Sequence, residues 1–95
     1  MQVEGEKGPL PNKVHRHKVL GLWASMGHDE EEISQWIENN IQDDILRKQS
    51  LNEFRNSTFF HRTHPLINMI GPIFGLETQE QRNDFFRAAD NYSFE

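Results

Sequence analysis

Five histidines are the residues most suited to chemistry in this 95-residue chain: His15 with His17, then His28, then His61 with His64. Imidazole is a common zinc ligand, but a zinc site takes three or four converging donors with supporting hydrogen bonds. His15 and His17 stand two positions apart, a spacing that diverges on a helix. His61 and His64 would share a helical face, yet Pro65 interrupts a regular helix just there. These rings therefore read as surface or helix-end imidazoles, and no metal is expected.

The other routes to catalysis are as sparse. There is no cysteine, so no thiolate nucleophile, disulfide or Cys-based zinc site is available. No Gly-x-Ser-x-Gly elbow is present, and Ser25, Ser34, Ser50, Ser57 and Ser93 fall in helical or capping contexts. Asp43 and Asp44 are neighbours that a helix turns apart by about 100°, so they cannot work as a carboxylate pair. No glycine-rich phosphate loop exists and no cofactor is implied. The expectation is a protein that is not an enzyme. Two matches to the glycosylation sequon, at Asn56 and Asn91, are read as chance.

Charge narrows the partners. The net charge is −5, and the acids are concentrated. Residues 1–28 carry two acids and four bases, residues 29–48 seven acids and two bases, and residues 49–95 six acids and four bases. Nucleic acid is disfavoured, because phosphate binding needs clustered Lys and Arg. A helix-turn-helix-like, DNA-associated regulator is the alternative suggested by a first helix, Gly27 and a second helix. The helix after them lacks a set of base-reading side chains, and the second helix is acidic where phosphate would approach. The acidic run Asp29–Glu32, with Glu38 and Asp43, could meet a basic partner, or serve as a solvated face.

The elements that would position these groups follow from periodicity. Met1 to about Asn12 holds Pro9-Leu10-Pro11 and two glycines, which predicts a mobile arm over residues 1–12. A single helical domain is expected over 13–95. Its first helix spans Val14 to Met26, with Val19, Leu22, Trp23 and Met26 on one stripe and Gly27 as C-cap. Lys13, Arg16 and Lys18 at its start oppose the helix dipole and predict fraying, or contacts with a partner. Asp29 caps a second helix that carries Ile33, Trp36, Ile37, Ile41 and Ile45. Asn40 and Asp44 interrupt that stripe, so the helix either breaks near them or continues to about Gln49 with Asp44 at a solvent-reaching edge. The continuous helix is preferred. Ser50 then caps a short third helix ending near Phe60. No run alternates with period two, so no strand is expected.

The most apolar stretch is Leu66–Leu76, which opens with Pro65 at the first helical position. A helix apolar over most of its circumference must be covered on several sides, so it is expected at the centre, kinked or stopped by Pro72 and ended by Gly75. As a helix it spans only about 16 Å, too short for a membrane. Thr78-Gln79-Glu80-Gln81 forms a capping box for a last helix. Its inward stripe is Phe85, Ala88, Ala89 and Tyr92, with Phe86 at the edge. The N-terminal residues lack a signal-peptide pattern, and a cytoplasmic protein is expected.

Residues Phe59-Phe60-His61-Arg62-Thr63-His64-Pro65-Leu66-Ile67, Gly75 to Gln81 and Asp84 to Ala89 resemble the C-terminal part of small tail assembly chaperones of tailed phages. The resemblance implies a protein that holds an aggregation-prone tail component through apolar contacts, without catalysis.

The sequence thus predicts an all-α, compact bundle of four to five short helices around a central apolar helix. Its expected role is non-catalytic protein binding, as adaptor, inhibitor or assembly factor. The surplus of aromatic rings puts the partner-binding surface at Phe59, Phe60, Phe86 and Trp36. The partner is another protein, basic or apolar, and self-association into a homo-oligomer is open.

Overall fold

The structure is a computed structural model that describes residues 9–92. Most of the chain is helical, and a two-stranded ribbon pairs the segment before the first helix with the segment after the third. Strand β1 (Lys13–His15) runs antiparallel to β2 (Phe59–His61), with Val14 opposite Phe60. The ribbon corrects the expectation of a chain without strands. Three-residue strands are too short to display a period of two, and burial alternates only once along each. Val14 and Phe60 face inward, where Phe60 stacks on Phe54 at 5.8 Å. Of the arm expected over 1–12, residues 1–8 lie outside the described residues. Asn12 is held in place, since its carbonyl accepts from the Arg62 amide at 2.8 Å.

Helix α1 (Arg16–Ser25) starts later than the expected Val14, because the ribbon claims Lys13–His15. Its C-terminus closes as read. Gly27 adopts φ 97°, the Gly27 amide donates to the Ala24 carbonyl and the His28 amide to the Trp23 carbonyl. Those are the two bonds of a Schellman motif, and the left-handed residue they require favours glycine. Val19, Leu20 and Trp23 are buried, whereas Met26, expected inward, is exposed.

Helix α2 (Glu30–Asn40) is capped by Asp29, whose carboxylate accepts from the Glu32 amide at 2.8 Å. Three glutamates in its first turn complement the dipole. It does not continue to Gln49. Ile41 and Asp43 take extended backbone angles, and Asp43 caps a new helix, α3 (Asp44–Asn56), by accepting from the Leu46 amide at 2.8 Å. The break resolves the conflict on the stripe: Asp44 stands in solvent, paired with Arg47 and Lys48, and no carboxylate among the described residues is buried. Ser50 is consequently a buried position inside α3, not a cap. Ile45, expected inward, is 67% exposed.

Helix α4 (Pro65–Ile70) begins at His64, and at Gly71 the chain tightens into a 3-10 turn (Gly71–Phe74). Pro72 is the reason, as it has no amide to extend the α-helical ladder. The apolar stretch 66–76 is therefore two short pieces, divided by the early stop that Pro72 implied. Leu66, Ile67, Ile70, Phe74 and Leu76 are buried, while Ile73 is exposed. Gly75 closes the turn at φ 95°. Helix α5 (Gln79–Asp90) carries the full capping box between Thr78 and Gln81. It buries Phe85, Phe86 and Ala89. Every helix and both strands contribute to one cluster of buried apolar side chains.

Candidate functional site

The expected aromatic surface does not assemble. Phe60 is 2% exposed and Phe86 is 0% exposed, so both belong to the core. Phe60 faces inward because its strand partner Val14 does, and Phe86 sits edge-on to Phe85 at 6.0 Å. Phe59 is half-buried on the outer side of the ribbon, between the Lys13 ammonium at 4.5 Å and the His15 ring at 4.4 Å. Trp36 is half-buried on α2 and meets Phe74 edge-on at 6.4 Å. A six-membered ring counts as surplus only if the core is already full, and here the core takes two of the four.

What the surface offers instead is a cleft between α3 and α4. It encloses about 390 Å³, within the range of binding clefts, and is lined by Leu46, Gln49, Ser50 and Glu53 from α3 and by His64, Pro65, Leu66 and Met69. The α3 side follows from helical spacing: positions 46, 49, 50 and 53 lie on one side of the rod. The Asp43 cap holds the first turn of that rod, from which Leu46 lines the cleft. The opposite wall follows from the start of α4, where Pro65 fits the first helical position and His64 the cap. Leu46 is 47% exposed, and the neighbouring Ile45 more so.

The cleft is apolar along its walls and polar at one end. There the His64 Nδ1 accepts from the Leu66 amide at 3.0 Å, and Nε2 lies 3.7 Å from the Glu53 carboxylate. An Nδ1 that accepts carries no proton, so the ring's own proton resides on Nε2, on the side of Glu53. Ser50, Glu53 and His64 share the cleft, but not as a nucleophilic relay. A relay places the imidazole between hydroxyl and carboxylate, one nitrogen toward each. In this arrangement one nitrogen is held by a backbone amide and the other faces the acid. His61 projects from the ribbon in register with Lys13 and contributes nothing to the cleft. Among the described residues no group of three His, Asp or Glu side chains is placed to hold a metal ion.

A second, shallower depression of about 340 Å³, of the same order of size, lies between α1 and α5, lined in part by Leu22, Met26, Leu76 and Ala88. No described helix is long and apolar enough to cross a membrane. No family model, no curated protein and no solved structure matches this chain.

Sequence reasoning missed the cleft. Met69 fell within the apolar stretch, but Leu46 was not singled out, because a second helix continued to Gln49 hides the start of α3. The signal that could have found it was Asp43 followed three residues later by Leu46, an N-cap placed immediately before a new apolar stripe.

Proposed function

We propose that this protein is a non-catalytic protein-binding module, an adaptor, inhibitor or assembly factor, which takes an apolar stretch of a partner into the α3–α4 cleft. Helices packed about the 66–76 segment supply the frame, and the cleft is the part of the frame left open. One observation carries the reading. Leu46 and Ile45 stand in solvent beside a concave, apolar-walled groove in a chain otherwise rich in surface charge. Grouped exposed apolar side chains mark interaction sites more often than isolated ones do. The resemblance over residues 59–89 fits this reading, since a tail assembly chaperone would use such a groove to shield an aggregation-prone component.

The test separates binding from folding. Leu46→Gln changes a side chain that is already half in water, so the melting temperature should stay nearly unchanged. Proteins captured from native extract by the wild-type chain should be lost from the Leu46→Gln variant and retained by Glu38→Gln, a change on the solvent face of α2. Equal capture by the wild type and Leu46→Gln would place the binding surface elsewhere.

A further inference from the structure

We infer that the occupant of the cleft is an amphipathic helical segment with a lysine or arginine beside its apolar anchors. The inference rests on the cleft being the binding surface, and it concerns the sign of the charge that the cleft accepts.

Of the residues lining the cleft, only Glu53 and His64 ionise, and none is a lysine or arginine. The His64 ring caps α4 by accepting from the Leu66 amide through Nδ1. A doubly protonated imidazolium has no acceptor nitrogen, so the capping ring is the neutral one. At 3.7 Å it stands beyond ordinary hydrogen-bond distance from the Glu53 carboxylate. Among the described residues, the polar end of the cleft therefore carries an acid with no lysine or arginine against it, and 35% of that side chain reaches solvent.

The bases of α3 cannot turn in to neutralise it. Arg47 is drawn back onto the Ile41 carbonyl at 3.1 Å and onto Asp44. Lys48 pairs with Asp44 at 3.2 Å. Arg55 follows Glu53 by two positions, which places it on the far side of the rod. The nearest run of sequence, residues 29–48, is itself strongly acidic. A cationic partner group gains from both the local and the wider field.

The apolar part sets the spacing. Leu46 and Glu53 are two helical turns apart, about 10 Å along α3. A helix lying along the groove would match them with an apolar anchor and a basic residue about seven positions apart. Met69 on the opposite wall is a flexible side chain that adapts to different anchors. A second copy of this chain fits less well. In an isologous pairing both copies present the same groove, and its lining offers no lysine or arginine to meet the Glu53 of the other copy.

The probe is a fluorescein-labelled synthetic peptide of about 14 residues, four helical turns, with leucines on one face and lysines on the other. Its counterpart carries glutamates in place of the lysines. Fluorescence anisotropy with the full chain should show the lysine peptide binding and the glutamate peptide not. Glu53→Gln should weaken the lysine peptide about fivefold, the size of a partly exposed ion pair, while Glu38→Gln, which removes the same formal charge far from the cleft, should leave it within about twofold. Equal weakening by both variants would reduce the effect to net charge and overturn the inference. If Leu46→Gln abolishes binding but Glu53→Gln changes nothing, the cleft stands and the basic occupant falls. If Leu46→Gln has no effect, the cleft reading itself fails. A concentration-dependent dimer in sedimentation that Leu46→Gln abolishes would make a second copy the occupant, again overturning the inference.

Discussion

The two sides of this small fold treat similar apolar residues in opposite ways. Around α1, the 3-10 turn and α5, the segment ends are tied down and the side is the more closed of the two, with only a shallow depression beside the exposed Met26. The Trp23 indole donates to the Phe74 carbonyl at 3.1 Å, Phe85 packs 4.9 Å from Trp23, and Gly27 and Gly75 end their segments in the left-handed region. Between α3 and α4 the helices stand apart, Leu46 remains half in water, and a polar pair rests at 3.7 Å without a direct hydrogen bond. A chain of this length has a thin stability margin. The closed side concentrates the stabilising contacts, which leaves the open side free to carry an exposed apolar surface. Stability and binding should therefore respond to different substitutions.

The largest effect is expected at the centre of the closed side. Trp23→Ala removes a fully buried ring and leaves the Phe74 carbonyl unpaired, costing about 3–5 kcal/mol. Chemical denaturation should find the variant largely unfolded; a small loss would mean that the two sides share the load evenly. Gly75→Ala comes next, since an alanine at φ 95° is strained by about 1–2 kcal/mol. Its urea midpoint should fall, without a change in peptide binding.

Asp43→Ala sits at the boundary between the two sides. It removes the cap that starts α3 and should cost about 1 kcal/mol. It should also weaken the leucine–lysine peptide, because Leu46 lies in the first turn that the cap holds. If stability falls and binding does not, the first turn of α3 is held by something other than its cap. Ile45→Gln is expected to be smallest on stability, within about 0.5 kcal/mol for so exposed a position. A greater loss would show that the open side contributes to the core after all.

The caps were legible in the sequence and the long-range pairings were not, for a physical reason. Caps are short-range devices. Thr78 with Gln81, Gly27, Asp29, Pro65 and Gly75 each announce themselves within four residues, and each occupies its expected role. Ribbon pairing is not local. Val14 meets Phe60 across the whole intervening helical stretch, and nothing in either strand's three residues reveals the other. That pairing also sends Phe60 inward, which removed it from the expected surface. Phe86 was placed at an edge by its angle from Phe85, but α5 buries both rings. At Asn40–Asp44 the two readings of the stripe were both visible. The exposed Asp44 and extended Ile41 and Asp43 show that avoiding a buried carboxylate outweighed continuing the helix.

The most direct measurement is a map of backbone amide shifts in the isotope-labelled chain as the leucine–lysine peptide is added. The account predicts that the shifted amides cluster at residues 46–53 and 64–69, with α1 and α5 unmoved. Shifts gathered along 16–25 and 79–90, with the α3–α4 cleft silent, would contradict it.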